Sequence, residues 1–187
     1  MPSISASIEL GTRPEADRQS QRDTLFLCLV RDYDQAIFRY LYGVLGDREA
    51  AQDLAQDVFV KAQRSLHSLR DPERARYWLF AIATNTARQH LRRASILRWL
   101  PLSALDHAAA APARADISDE IGLFVSEVLG QLGDKDRMIL LLCGLHEFTA
   151  AEAGLALGIS EGAAKKRWQR ARDRFLQLAG GQDELDA

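Results

Sequence analysis

The sequence predicts an all-α protein: two small helical domains joined by a flexible linker. Three observations predict it. Apolar residues recur at spacings of three and four from about Asp23 to Arg93 and again from about Ile117 to Leu178, while few segments alternate apolar and polar residues as strands do. The intervening residues 94–116 hold two prolines, an alanine run and a few isolated large apolar side chains. Each helical stretch is punctuated by capping residues and glycines. The expected organisation is a flexible tail over 1–20, a first domain over 21–93, a linker over 94–116 with a short docking segment at Ile96–Leu102, a second domain over 117–180, and a tail over 181–187.

The first domain reads as about four helices. Leu25, Leu29, Tyr33, Ile37, Tyr40, Leu41 and Val44 form the stripe of its first helix, and Gly46 is the expected stop. Asp47 is placed to cap the next helix, whose stripe is Ala51, Leu54, Ala55, Val58, Phe59 and Ala62. Asp71-Pro72 starts another, because proline at the first helical position gives up only an N–H that would have no partner. In that helix Trp78, Leu79, Ile82 and Ala83 make a buried face. Phe80 lies off it, so the early turns are apolar nearly all round and central to the domain.

Composition narrows the function. With 47% apolar and 27% charged residues among 187, the chain can bury a core, and its net charge of −2 does not announce a nucleic-acid partner. No run of 18 apolar residues spans a membrane, and the N-terminus lacks a basic-then-apolar secretory signal, so a cytoplasmic protein is expected. Cys28 and Cys143 sit in separate apolar runs without a Cys-x-x-Cys pair or a histidine cluster. Core thiols are expected, with a redox role as the alternative; no metal and no cofactor are expected.

Three constellations stand out. Asp53, Gln56 and Asp57 share one helix face beside the apolar stripe, which reads as a solvated acidic face near a helix N-terminus; paired carboxylates could suggest acid–base catalysis, but no pocket-forming glycine loop or partner histidine accompanies them. In RYWLFAIATNTARQHLRR (76–93), Asn85, Arg88, Gln89, Arg92 and Arg93 place arginines and amides together with no acid from Ile82 to Arg98. Arginine suits phosphates and guanine edges and amides suit base edges, while a basic turn complementing the helix dipole is the alternative.

The third is FTAAEAGLALGISEGAAKKRWQRARDR (148–174). Thr149 and Glu152 form a capping box, Gly158 makes a turn, Ile159 plugs the core and Ser160 caps a second helix with Ala164 and Trp168 facing inward. Two short helices about a glycine turn are a helix-turn-helix, whose second helix enters the major groove. From Glu161 to Arg174 that helix carries six basic residues against two acidic ones, enough for counterion-driven DNA attraction.

Over about residues 24–178 these segments resemble the extracytoplasmic-function (ECF) sigma factors of the sigma-70 family. AQDLAQDVFVKA (51–62) resembles their region 2.2, RYWLFAIATNTARQHLRR their regions 2.3 and 2.4, and QLGDKDRMILLLCGLHEFTAAEAGLALGISEGAAKKRWQRAR (131–172) their region 4. The resemblance implies a promoter-specificity subunit, not an enzyme, that binds core RNA polymerase and directs promoter recognition, DNA melting and initiation at a specific regulon. Its implied partners are the beta-prime clamp helices and beta flap of the bacterial core enzyme, promoter DNA and an anti-sigma factor.

The implied roles fall on particular residues. Asp53, Gln56, Asp57 and Phe59 would bind core polymerase. Ser68, Leu69, Arg70, Asp71, Tyr77, Asn85, Arg88, Gln89, Arg92 and Arg93 would take the minus-10 element, with a flipped base. Ser160, Lys165, Lys166, Arg167, Gln169, Arg170 and Arg172 would take the minus-35 element, with Arg167 and Arg172 nearer the backbone.

Three positions depart from the family pattern. Leu132-Gly133 replaces a usual Leu-Pro, Ala163-Ala164 a common Thr-Val, and Lys166 a common serine. A looser helix entry, a weaker phosphate contact and an altered promoter preference are expected. A stand-alone helix-turn-helix regulator binding palindromic half-sites as a dimer is the competing reading. A DNA-acting enzyme is disfavoured, because no acid–metal or nucleophile–base arrangement lies near either basic helix.

Overall fold

The computed structural model describes residues 15–69, 71–97 and 120–180, with side chains from 20 to 69, 71 to 96 and 125 to 180. All regular structure among them is helical. In order these are α1 (Glu15–Leu45), α2 (Arg48–Ser65), α3 (Ala75–Leu97), α4 (Glu120–Gly130), α5 (Asp134–Leu140), α6 (Ala150–Leu157) and α7 (Glu161–Gly180). Two 3-10 turns, Leu66–Ser68 and Pro72–Arg74, lead from α2 into α3, and a π turn, Leu141–Leu145, continues α5.

The ends are where local chemistry puts them. Gly46 adopts φ 70 and its N–H donates to the Tyr42 carbonyl, closing α1. Asp47 accepts from Ala50 N at the start of α2. Asp71 accepts from Glu73 N, but Pro72 opens a 3-10 turn and α3 proper begins at Ala75. Among the described residues the first group therefore has three α-helices where about four were expected. Helix α1 begins at Glu15, inside the segment read as a tail over 1–20. Its first turns, EADRQSQR, combine good helix formers with acids beside the positive helix end, which supports a helix without needing an apolar stripe. Likewise α3 runs four residues past the expected end at Arg93, and α4 is described from Glu120, the expected start at Ile117 lying outside the described residues. The remainder of the linker, most of the docking segment and the 181–187 tail lie outside the described residues.

The apolar stripes bury as their spacing requires. Ile37, Tyr40, Leu41 and Val44 of α1 meet Ala51, Val58 and Ala62 of α2 and Leu79 and Ala83 of α3, all fully enclosed. Tyr40 Oη and Thr84 Oγ1 lie 2.8 Å apart in this core, so each buried hydroxyl satisfies the other. Burial pushes the Tyr40 phenol well above its ordinary range. In the second group Met138, Ile139 and Leu142 pack with Ala153, Ala156, Leu157, Ala164 and Ala171.

The two groups do not stand apart. Helix α6 lies along α3, the π turn abuts α1, and the buried residues of both groups form one continuous cluster. Phe80, off the apolar face of α3, is 1% exposed because His146 and Phe148 of the second group cover it at ring-centroid distances of 4.8 and 5.0 Å.

Removing one member of the buried hydroxyl pair strands the other. Thr84→Val should therefore lower the unfolding free energy by about 1–3 kcal/mol. Adding Tyr40→Phe to Thr84→Val should recover part of that loss in a urea-unfolding double-mutant cycle.

Candidate nucleic-acid and polymerase interface

On α2, Asp53, Gln56 and Asp57 are exposed on one face, whereas Phe59 is only 8% exposed and belongs to the core. Phe59, expected beside them as a contact residue, falls on the apolar stripe with Ala55 and Ala62. The apolar member of the open face is Val60, 45% exposed. Val60 follows Asp53, Gln56 and Asp57 by seven, four and three residues, a spacing that could have identified it.

Along α3, Asn85, Gln89, Arg92 and Arg93 are exposed and share the outer half of the helix. Two other expected minus-10 residues are already engaged. Arg88 Nη1 donates to the Leu157 carbonyl at 3.0 Å, and Tyr77 Oη donates to Glu152 Oε1 at 2.6 Å. That bond holds the Glu152 carboxyl below its usual range and raises the Tyr77 phenol. In the preceding loop Ser68 is exposed, with its hydroxyl donating to Ser65 O, and Leu69 and Asp71 are half-buried. Arg70 lies outside the described residues.

The helix-turn-helix forms as the caps dictate. Thr149 Oγ1 accepts from Glu152 N, and Glu152 Oε2 accepts from Thr149 N at 2.7 Å. Gly158 takes the left-handed φ 66 that ends α6, and Gly154 leaves room for the turn, since a Cβ there would sit 2.9 Å from the Ile159 carbonyl oxygen. Ile159 is half-buried against the core, and Ala164 is enclosed. On α7, Lys165, Lys166, Gln169, Arg170 and Arg172 are exposed. Arg167 instead pairs with Asp136 at 3.6 Å, and the Ser160 hydroxyl caps α7 by accepting from Ala163 N. Trp168 is half-buried, its ring edge against Gly144.

Helix α5 enters at Gly133 without a side-chain cap, and Asp134 and Asp136 offset this by placing carboxylates at its positive end. Both cysteines are free and half-buried rather than enclosed, and burial pushes the Cys143 thiol up to about 11. No group of three metal-ligating residues occurs among the described residues.

Two arginines to which the sequence assigned no role organise the contact between the groups. Arg76 donates to the His146 carbonyl and lies 4.5 Å over the Phe148 ring. Arg137, whose charge is disfavoured by burial, donates to the carbonyls of Leu129, Leu132 and Gly130 and, across the contact, to Val44 O at 2.6 Å. His146 is enclosed by Tyr40, Phe80 and Arg76, and its Nε2 finds no hydrogen-bond partner among the described residues. Burial, reinforced by Arg76 and Arg39, lowers its pKa to about 4. Glu147, at φ 55, makes the left-handed turn between His146 and Phe148.

An acidic helix face, a polar basic helix and a capped helix-turn-helix with an exposed basic second helix thus stand on one all-α frame. The model for sigma-70 region 2 matches residues 29–96, and that for sigma-70 region 4 matches residues 125–175. The ECF RNA polymerase sigma factor SigM of Bacillus subtilis is 31% identical over 151 residues, covering 78% of this chain and 90% of that protein. The RNA polymerase sigma-H factor of Pseudomonas aeruginosa is 31% identical over 170 residues, 79% of this chain and 87% of its own. The structure of CnrH in complex with the cytosolic domain of CnrY superposes with a TM-score of 0.65 at 26% identity, covering 89% of this chain and 94% of that one. The sigma factor RpoE of Bartonella quintana, solved with the anti-sigma factor NepR, shares the fold with a TM-score of 0.58 at 22% identity over 87% of this chain and 96% of that one. The chain belongs to the sigma-70 family, in its ECF group.

His146 gives the packed structure a pH dependence of definite sign. Its pKa is about 4 when folded against an ordinary 6.5, so the unfolded chain takes up a proton first as pH falls. Stability is complete above the unfolded value and declines as pH drops toward the folded one, by about 3 kcal/mol in all. Urea midpoints at neutral and acidic pH should show this loss, and His146→Phe should remove its share. Glu152, whose lowered pKa acts in the same direction, is common to both proteins and cancels from the comparison.

Proposed function

We propose that the chain gives bacterial RNA polymerase its promoter specificity through three separate surfaces. The observation that carries this is the open face of α2, a feature that a stand-alone helix-turn-helix regulator would not need. There Asp53, Gln56 and Asp57 lie one to two turns before the exposed Val60 on the same face. An exposed apolar side chain bordered by polar and acidic groups suits a protein partner, here the beta-prime clamp helices of the core enzyme. The second group would engage the beta flap.

Lys165, Lys166, Gln169, Arg170 and Arg172 would meet the minus-35 element, with Gln169 reading base edges and the cations holding phosphates. Asn85, Gln89, Arg92 and Arg93, with Arg88 and Tyr77 once freed, would hold the unpaired minus-10 strand. Melting then draws on binding to a flipped base and requires no bond made or broken by this chain. An anti-sigma partner is in keeping with the sigma factor RpoE of similar fold, solved in complex with the anti-sigma factor NepR. No helix among the described residues is long and apolar enough to cross a membrane, in keeping with a soluble cytoplasmic factor.

Transcription in vitro with bacterial core polymerase and fragmented genomic DNA tests the reading. The chain should start RNA synthesis at defined promoters, and Gln56→Ala with Asp57→Ala should cut it by about tenfold or more. Tight binding of the free protein to palindromic duplex sites, without specific initiation, would instead identify a stand-alone regulator. Lys165→Ala with Arg170→Ala should weaken binding and lower the slope of log affinity against log salt by about 2.

A further inference from the structure

We propose that free copies of this chain associate head-to-tail, with the acidic face of α2 on one copy against the basic face of α7 on the next. The two faces match in geometry. Asp53, Gln56 and Asp57 stand at positions i, i+3 and i+4 of α2, and Lys166, Gln169 and Arg170 stand at the same relative positions of α7. That spacing puts each set on one side of its helix. All of these residues are exposed. Carboxylates on one helix therefore repeat at the interval of the cations on the other, and in either helix direction two acids meet two bases.

These charges are available to an outside partner. Among the described residues Asp53, Asp57, Lys166 and Arg170 enter no ion pair. Both sets are exposed in the same molecule, so neither serves the other within one chain. Lys165 and Arg172 widen the basic face, and the exposed Val60 lies one turn beyond Asp57 on the acidic one. The net charge of −2 leaves little repulsion between whole molecules to oppose the contact.

The two faces lie on different helices, so the contact is heterologous, and each copy added leaves one acidic and one basic face open. Exposed ion pairs contribute little singly and are screened by salt. A contact built from several of them is weak, grows with concentration, is strongest at low ionic strength and exchanges readily. The contact itself rests on the exposed charges alone. Its consequence rests on the sigma-factor reading: polymerase and promoter DNA would use these same faces, so each would draw copies out of the assembly.

Sedimentation velocity of the full chain tests the contact. Wild type should form oligomers that grow with concentration, and raising salt from about 0.05 M to about 0.5 M should weaken the association by about tenfold or more. Two neutralised variants isolate the faces. Asp53→Asn with Asp57→Asn removes the acidic one, and Lys166→Gln with Arg170→Gln removes the basic one. Each variant alone should sediment as a monomer. Mixed together they should form a one-to-one dimer that grows no further, because only one complementary pair of faces remains. Removing two acids brings the net charge of −2 to zero, so the first variant draws the second through the patch and not through overall charge. A wild type that stays monomeric at low salt would overturn the contact. So would oligomers that persist in either variant alone, or a mixture that stays monomeric. Core polymerase, by claiming the α2 face, should disperse the wild-type oligomers. If oligomers form as described but polymerase neither binds the chain nor disperses them, the sigma reading fails while the contact stands.

Discussion

The arrangement of this molecule depends on how the carbonyl groups at its helix C-termini are satisfied. A short helical protein has many helix ends, and each leaves carbonyl oxygens without an N–H from its own helix. Glycine turns serve part of that need at Gly46 and Gly158. Where the two groups meet, guanidinium groups serve the rest. Arg137 alone collects carbonyls from Leu129, Gly130 and Leu132 of its own group and from Val44 of the other. Its burial lowers its preference for charge, and several oriented carbonyl dipoles compensate in place of a carboxylate.

That contact joins local capping and tertiary packing in one set of side chains. Glu152 closes the capping box of α6 with one oxygen and holds Tyr77 with the other, so the local start of a DNA-binding motif also joins the two groups. Phe80 meets His146 edge-on and Phe148 at a tilt, and Arg76 lies over Phe148, giving the junction an aromatic floor. A protonated imidazole cannot enter that floor cheaply, which ties the packing to the neutral form of His146.

The candidate site was legible wherever one helix carried it. Asp53, Gln56 and Asp57 share a face by spacing alone, and the exposed cations of α7 follow from the inward placement of Ala164 and Ala171. Phe59 is buried because exposure alternates around the helix whereas the family motif it matched is contiguous; Val60 holds the open position. Arg88 and Tyr77 could not be recognised as engaged, because their partners lie 69 and 75 residues away along the chain.

Local chemistry, read from the sequence, determined the all-α class, most helix boundaries, the capped helix-turn-helix and the composition of each exposed face. These depend on residues within a turn or two of one another, where spacing and capping act. The extension of α1 to Glu15 escaped because it rests on helix propensity without an apolar stripe. Only the tertiary structure decided that the two groups share one core, that Phe80 is enclosed, and that Arg88 and Tyr77 of α3 are engaged by α6. Contacts between distant segments depend on shape and on which helix ends come together, and no local periodicity encodes either.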